Sequence, residues 1–304
     1  MLLQGCTRVE LGIQTTFDDV LKHVHRGHTV QDSIDTIAVL RDLGFKLNFH
    51  VMLGLPLMTR ERDLSAAHRI FGDEAFKPDM VKLYPCLVMP GTPLYADWKA
   101  GRYTPLTTAE STSLIAEILS FVPRWCRVMR VQRDIPTHVT AAGPDRTNLR
   151  QYVDEHMRAR GIVSADIRAR EAKKIIGKPT IHCTQYRASG GDEYFISLDD
   201  AQGGLLGFCR LRFPPRSLRE EITPATAIVR ELHVYGKQMS IGVEGGCSDV
   251  QHRGLGKRLL AEAERVARRA GKKKVLVISG VGVRGYYAKL GYVREGPYMA
   301  KSLK

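Results

Sequence analysis

The sequence lacks the features that would tie it to a membrane, a metal cage or a disulfide framework. Its six cysteines are scattered and no two of them form a CxxC or CxxxC pair, so their spacing indicates neither a metal site nor a disulfide scaffold. No apolar run is long enough for a transmembrane span. Unpaired cysteines favour a reducing compartment, and we expect a cytoplasmic protein without a membrane partner.

Acidic residues are too few to balance the basic ones. The chain has 46 Lys and Arg against 32 Asp and Glu, a formal net charge of +14, and such a surplus favours a phosphate-rich partner such as a nucleic acid or a coenzyme. Residues 124–178 hold 13 of the basic residues and only 6 of the acidic ones, which is half of the excess. This clustering predicts a binding surface, with solvated helix faces as the alternative.

The first 135 residues alternate between strand-like and helix-like patterns, as expected of a parallel sheet covered by helices. From Phe45 to Leu53 apolar and polar residues alternate with the period of a strand. The helical spacing from Val30 to Leu43 ends before Gly44. Other predicted elements are strands at Val9–Ile13, Met80–Tyr84 and Arg127–Val131 and a helix at Thr108–Val122. Four strands make half of an eight-stranded barrel, so we expect the chain to begin within a domain.

Two changes of pattern divide the rest of the chain. Residues 136–180 contain Arg-rich helical stretches at Asn148–Arg160 and Asp166–Ile176. After residue 181 short strands follow one another, at Tyr194–Leu198, Leu205–Phe213 and Ala227–Tyr235. The predicted organisation is an α/β chain with a partial barrel at 1–135, a basic linker at 136–180 and a second domain with a mixed sheet at 181–304.

A glycine-containing loop precedes an amphipathic helix in the second domain. Gly254 and Gly256 stand at the start of this helix, where bare backbone N–H groups and the helix dipole favour a bound diphosphate. A P-loop would end in Gly-Lys-Ser or Gly-Lys-Thr, and a dinucleotide fingerprint would place a third glycine where the chain has Leu259. The candidate cofactor-binding residues are Gln251, His252, Arg253, Gly254, Leu255, Gly256 and Lys257.

Residues 280–292 carry a second glycine motif and the candidate catalytic residues. The string from Gly280 to Gly285 matches GxGxxG, yet only 19 residues follow it, too few for a dinucleotide-binding fold. Next come two tyrosines, and a phenol can protonate a thiolate leaving group. Tyr287 is the first candidate for this acid and Tyr286 the second, while the other ring packs between helix and sheet. Glu231 or His233 is a candidate base, with structural hydrogen bonding as the alternative.

Several strings together resemble known families. The Q/R-x-x-G-x-G/A loop at 251–256 and the Tyr-Tyr-x-Lys-Leu-Gly-Tyr string at 286–292 resemble GNAT acyltransferases, whose loop amides hold the pyrophosphate of coenzyme A. The strings Arg230–Gly236, Ser279–Arg284 and Gly296–Met299 resemble the catalytic subunit of Elongator, a fusion of radical S-adenosylmethionine (SAM) and GNAT domains. In the front, Gly5–Gln14, Arg26–Val30 and Arg130–Pro136 are similar to its radical domain. The resemblance implies the C-terminal half of a TIM-like radical-SAM barrel, a linker and a GNAT domain.

This resemblance also implies an activity. The expected reaction is acetyl-coenzyme A-dependent modification of the wobble uridine of tRNA at ring carbon 5, toward 5-carboxymethyluridine, with SAM and a [4Fe-4S] cluster generating the radical in the intact family. The expected partners are tRNA, acetyl-coenzyme A and either other Elongator subunits or a second copy of the chain. The candidate tRNA-binding residues are Arg130, Arg133, Arg158, Arg160, Arg168, Arg170, Lys173 and Lys174.

The chain departs from that family in one respect. The family's CxxxxxxxxxCxxC-type cluster ligands have no counterpart here, and by spacing none of the six cysteines replaces them. We therefore expect an N-terminally truncated form that is impaired in the radical step. Glu10, Gln14 and the Gly54-Leu55-Pro56 turn resemble parts of the SAM pocket, with barrel packing as the alternative. A protein or small-molecule N-acetyltransferase is the alternative function.

Overall fold

The computed structural model describes residues 1–132, 135–172, 174–235 and 254–304. The chain forms two compact units. We call residues 10–36 and 47–169 the front unit, and residues 1–9, 37–46 and 170–304 the rear unit. A segment from the early part of the chain thus belongs to the unit of the C-terminal region. The boundaries drawn from the sequence at 135 and 180 stay predictions.

A four-stranded sheet carries the front unit. Its order is β1 (Arg8–Gln14), β2 (Lys46–Leu53), β3 (Met80–Pro85) and β4 (Arg127–Arg130). The pairs β2–β3 and β3–β4 are parallel. The odd-numbered residues of β2, from Leu47 to Leu53, are at most 2% exposed, so one face of the strand is buried in the way its alternation predicts. The four predicted strands are confirmed.

Helices lie between these strands in the sequence or follow the last of them. They are α1 (Asp18–His23), α2 (Val30–Asp42), α3 (Arg60–Gly72), α4 (Pro93–Lys99), α5 (Thr108–Phe121), α6 (Leu149–Ala159) and α7 (Ile167–Arg170). Gly44 has a φ of 93°, the left-handed conformation expected just beyond the end of α2. The predicted helix Asp166–Ile176 is wrong in its second half, because the Ala172 N–H donates to the Leu205 carbonyl at 3.0 Å and the chain has left the helix by then.

The rear unit is built on a mixed seven-stranded sheet in the order β10-β11-β9-β8-β7-β6-β5. Only β8 and β9 are parallel among its described pairs. The strands are β5 (Thr180–Ala188), β6 (Gly191–Asp199), β7 (Leu205–Phe213), β8 (Thr226–Val234), β9 (Lys274–Val277), β10 (Val293–Glu295) and β11 (Tyr298–Ser302). The sequence pattern does not predict β5, an edge strand that is mostly exposed or half-buried and carries little apolar signal.

The described part of the rear unit also contains the helices α8 (Leu255–Arg269) and α9 (Arg284–Ala288). The apolar face of α8 packs into the core formed with β6, β7 and β8, as its amphipathic pattern predicts. Among the described helices, none has both the length and the apolar character needed to cross a bilayer.

A buried ion network joins the end of α2 to this sheet. Asp42 accepts from Arg212 and from Arg216, the latter at 2.6 Å. Glu193 accepts from Arg212 and Arg230, each at 3.0 Å. Apart from Arg216 these side chains are at most 1% exposed. Buried charges are tolerated only when paired, so the network fixes residues 37–46 in the rear unit.

Candidate functional site

The start of α8 has the geometry of an anion site. Gly254 is the N-cap with a φ of 70° and has no side chain with which to cap the helix, and the first turn contains no acidic residue. Instead Lys257 and Arg258 are exposed there, where positive charge is unfavourable beside the helix dipole unless an anion binds. Of the remaining predicted residues, Leu255 is buried within the core. Gln251, His252 and Arg253 lie outside the described residues.

Tyr286 reaches this helix start, whereas Tyr287 does not. A Cβ added to Gly256 would lie 2.9 Å from the Tyr286 hydroxyl, so the absence of a side chain there makes room for the phenol. Tyr286 is 38% exposed, while Tyr287 is 6% exposed and belongs to the core beneath α8. Burial raises the pKa of both phenols. Both therefore hold their protons at neutral pH.

The central strands of the rear sheet separate close to this point. The ladder between β8 and β9 ends at Val229 and Val277, and the Ile278 N–H donates to the Val229 carbonyl at 3.1 Å. Strand β8 nevertheless continues to Val234, whose side chain lies 3.7 Å from the ideal Cβ of Gly256. The far end of β8 thus lies beside the first turn of α8, and its edge offers backbone hydrogen-bonding groups to an extended ligand.

The two candidate bases on β8 have structural contacts. Glu231 accepts from Arg210 at 2.9 Å, with both side chains at most 10% exposed. The His233 ring stacks on Phe208 at 5.7 Å and meets Tyr235 edge-on at 4.5 Å. Glu231 therefore serves as the counter-ion of a buried arginine, and no proton-accepting role is needed to explain it.

A cavity of about 870 Å³ opens in the front unit at the carboxyl ends of the parallel strands. Its walls come from α1 and the residues after it, from the segment after β2, and from the segment between β3 and α4. A second cavity of about 540 Å³ shares several of its lining residues, including His23 and Leu57. Ligands of open parallel sheets bind at this edge, which makes the larger cavity the second candidate site.

Backbone strain collects around this cavity. Five non-glycine residues in the described part of the chain have positive φ, and His25 (54°) and Leu57 (67°) both line the cavity. A third, Gln14 (64°), ends β1. Such conformations are costly and cluster at functional sites. The sequence pointed to Gln14 and the Gly-Leu-Pro turn only through a family resemblance, and His25 and Leu57 carried no signal.

The polar face of the front sheet carries a charged cluster. Glu10 of β1 lies 2.7 Å from His50 Nε2 of β2 and 2.5 Å from Lys82 Nζ of β3. Partial burial alone would raise the pKa of Glu10, but the hydrogen bonds from Lys82 and His50 lower it to about 2. Glu10 is therefore a carboxylate at every physiological pH. Its neighbours His50 and Lys82 were missed in the sequence because no motif contains them.

The predicted tRNA-binding residues fall into both units. Arg130, Arg158, Arg160 and Arg168 are exposed in the front unit, and Lys174 is exposed in the rear unit. Arg170 differs, since its guanidinium lies 3.5 Å from Asp199 and only 12% of its side chain is exposed. Arg133 and Lys173 lie outside the described residues.

The described cysteines are Cys6, Cys86, Cys126, Cys183 and Cys209, and all are free. Within the described ranges no group of three His, Cys, Asp or Glu side chains is placed to hold a metal ion. The residues present therefore do not fit a cluster of the radical-SAM type. The helix start beside Tyr286, by contrast, fits the diphosphate and thioester of an acyl-coenzyme A.

Three family models match consecutive stretches of the chain. The Radical SAM superfamily model matches residues 1–68, the Radical_SAM C-terminal domain model matches residues 78–159, and the Acetyltransferase (GNAT) family model matches residues 165–292. The fold and the helix-start site thus define a radical SAM protein joined to a GNAT-type acyltransferase.

Individual relatives show which members of this class the chain is similar to. The tRNA uridine(34) acetyltransferase of Methanocaldococcus jannaschii is 44% identical over 100% of this chain and 58% of its own length. Elongator complex protein 3 of Schizosaccharomyces pombe is also 44% identical, with the same coverage. The solved structure of archaeal Methanocaldococcus infernus Elp3 with an N-terminal deletion (1–46) superimposes with a TM-score of 0.93 at 42% identity, over 100% of this chain and 74% of that one.

The chain belongs to the family of Elongator complex protein 3 and the tRNA uridine(34) acetyltransferases. It spans a little more than half the length of the two curated relatives just described.

Proposed function

We propose that the chain acts in the acetyl-coenzyme A-dependent modification of the wobble uridine of tRNA. The names of the relatives called tRNA uridine(34) acetyltransferase indicate the substrate. In this proposal the exposed arginines of the front unit contact its phosphates. One observation carries the chemical part, the approach of the Tyr286 hydroxyl to the first turn of α8. A cytoplasmic location and association with other Elongator subunits or with a second copy belong to the same proposal.

In this proposal the rear unit binds the coenzyme. The N–H groups at the start of α8, with Lys257 beside them, hold the diphosphate, and the part of β8 beyond its ladder with β9 lies along the extended pantetheine arm. Acetyl-coenzyme A supplies an acetyl group activated as a thioester. In the intact family SAM and a [4Fe-4S] cluster supply the radical chemistry, and we assign no residue of this chain to the cluster.

Tyr286 acts as the general acid. Water adds to the thioester carbonyl, the carbon–sulfur bond breaks, and the phenol gives its proton to the departing sulfur. The proton that the added water loses then restores the phenol. Burial raises the pKa of this phenol, so it is a weaker acid than a thiol, and the proton transfer is uphill by an amount that a catalysed step tolerates. Tyr287 lies in the core and supports the ring of Tyr286, which it contacts edge-on at 5.3 Å.

The test is the release of coenzyme A from acetyl-coenzyme A, with and without total tRNA. We expect tRNA to stimulate release and Tyr286→Phe to reduce it about a hundredfold, as for loss of a general acid. Tyr287→Phe is the matched control, because it removes a hydroxyl one residue away, and it should retain most of the rate. Release that is indifferent to tRNA would contradict the proposal and favour a general N-acetyltransferase, and a loss confined to Tyr287→Phe would move the acid to that residue.

A further inference from the structure

The smaller cavity of the front unit, of about 540 Å³, contains a carboxyl group whose second oxygen has no partner among the described residues. Asp63 of α3 lines this cavity and is 2% exposed. Its Oδ2 atom accepts the Gly54 N–H at 2.9 Å, whereas Oδ1 accepts no hydrogen bond from the part of the chain that the structure describes. A buried polar atom normally has a partner, because taking it out of water is costly. The Oδ1 atom therefore marks this cavity as a candidate ligand site.

The hydrogen bond to Gly54 does not by itself explain why residue 63 is an acid. Gly54 has a φ of 67°, and its carbonyl accepts the Tyr103 hydroxyl at 2.6 Å, so two buried side chains hold this residue. An asparagine at position 63 could accept the same N–H through its amide oxygen without the cost of burying an ionisable group. Burial raises the pKa of Asp63 to about 7. At neutral pH about half of the molecules therefore carry a buried negative charge at this position.

The other charged side chains that line the cavity have partners of their own. They are Arg60, Asp97, Arg102 and Glu110, and the exposed His23 is a further titratable group of the lining. Arg102 lies 2.7 Å from Asp97. Arg60 pairs with Glu117 at 2.5 Å, and Glu110 closes the capping box of α5. A cation that enters the cavity would therefore find one carboxylate without a described partner for its second oxygen, that of Asp63.

The rest of the lining favours an organic cation over a bare metal ion. Leu55, Met58, Leu106 and Leu114 supply apolar walls. A metal ion takes several oxygen ligands, and within the described ranges no three side chains of the metal-binding types come together. An alkylammonium ion suits both parts of the cavity, because its ammonium group pairs with a carboxylate while its carbon chain packs on apolar surface.

We propose that this cavity binds a small aliphatic amine, whose ammonium group donates to Asp63 Oδ1 and whose carbon chain packs against Leu106 and Leu114. The amine supplies the counter-ion that Asp63 lacks among the described residues. Because the amine pairs with the ionised carboxyl group, its binding below pH 7 displaces a proton from Asp63. The site belongs to the front unit and is independent of the acyl-coenzyme A chemistry proposed for the rear unit.

The experiment measures the affinity of the full chain for n-butylamine by ligand-observed nuclear magnetic resonance, without tRNA or coenzyme A. We expect about tenfold tighter binding at pH 8 than at pH 6, because Asp63 is about nine-tenths ionised at pH 8 and about one-tenth at pH 6. An alkylamine stays protonated at both. Asp63→Asn keeps an acceptor for Gly54 and should weaken binding at pH 8 by about tenfold or more. Asp35→Asn, at an exposed acid of the same unit, is the matched control and should bind like the parent chain.

Several results would overturn this inference. Absence of butylamine binding at pH 8, or equal binding by the parent chain and Asp63→Asn, would remove Asp63 as the site of the amine. Equal affinity for n-butanol, which has the same carbon chain without the charge, would show that the cavity takes apolar groups only. Tighter binding at pH 6 than at pH 8 would mean that the protonated acid is the binding form. None of these results affects the release of coenzyme A, so the proposed function is tested separately.

Discussion

The two units differ in whether a buried carboxyl group has a cationic partner among the described residues. In the rear unit, Asp42 pairs with Arg212, and Glu193 pairs with both Arg212 and Arg230. The side chains of all four residues are at most 1% exposed. In the front unit, Asp63 is 2% exposed, its carboxylate accepts the Gly54 N–H at 2.9 Å, and no arginine or lysine among the described residues forms an ion pair with it. Burial raises the pKa of Asp63 to about 7.

This difference distinguishes a structural ion network in the rear unit from a candidate binding site in the front unit. A paired buried charge fixes geometry but is intolerant of losing its partner, which suits the sheet on which α8 and Tyr286 are mounted. A carboxylate that lacks a cation lines the smaller cavity of the front unit, close to the strained Leu57. Strain and poorly compensated polar groups of this kind accompany binding sites and lower stability.

The largest expected effect concerns the buried ion network of the rear unit. Asp42→Asn should destabilise the rear unit by about 3–5 kcal/mol, because Arg212 would remain buried without its full counter-charge. Urea unfolding followed by far-ultraviolet circular dichroism measures this change. Both tryptophans, Trp98 and Trp125, lie in the front unit, so their fluorescence reports separately whether that unit unfolds with the rear one.

Arg216→Gln is the control for this prediction. Arg216 also binds Asp42 but its side chain is 43% exposed, and an exposed ion pair contributes less than about 1 kcal/mol. An equal loss in the two variants would show that burial does not govern the strength of this network.

Sequence patterns predicted the elements of both units better than the contacts that hold them. The strand at 46–53 and the helix ending before Gly44 followed from period and capping, because a single segment determines them. The placement of Asp42 in the rear unit did not, since its partners Arg212 and Arg216 lie more than a hundred residues away. Charged residues in a strand pattern read as exposed, and only the fold reveals that β6 and β7 bury them.

The second prediction concerns Asp63. Between pH 4 and 7 the folded chain keeps a proton that the unfolded chain has released, so this group makes stability fall as pH rises through that window. Asp63→Asn should abolish the fall and raise the stability of the front unit above pH 7 by about 2 kcal/mol. The amide oxygen can still accept from Gly54. Tryptophan fluorescence in urea at pH 5 and pH 8 measures the difference.

Asp35→Asn serves as the control, since Asp35 is an exposed acid of the same unit and should change stability by only a few tenths of a kcal/mol at either pH. If Asp63→Asn destabilised the unit at pH 8, the carboxylate would have to be compensated by a partner, and the contrast with Asp42 would fail.

For the candidate sites, as for the helices and strands, contiguous motifs could be recognised in the sequence, whereas features set by the fold could not. The helix start at Gly254 and the tyrosine pair could be proposed from the sequence because each motif is contiguous. The proposal of Tyr286 rather than Tyr287 as the acid depends on which hydroxyl lies near α8 in the structure. Leu57 and His25 could not be identified from the sequence, because backbone strain at a leucine or histidine has no signature in composition or spacing.

The smallest effect compares the starts of two helices. In the front unit α5 is closed by a capping box, in which the Thr107 hydroxyl accepts from the Glu110 N–H and the Glu110 carboxylate accepts from the Thr107 N–H at 2.8 Å. In the rear unit α8 begins at Gly254, an N-cap residue that has no side chain to supply a cap. Thr107→Ala should therefore destabilise the front unit by about 1 kcal/mol, measured by tryptophan fluorescence in urea, and Thr107→Ser should restore most of it. Because Ser keeps the cap oxygen, equal losses in both variants would show that the methyl group matters and not the cap. Coenzyme A should leave this transition unchanged and stabilise only the rear unit, where the helix start is left open to an anion.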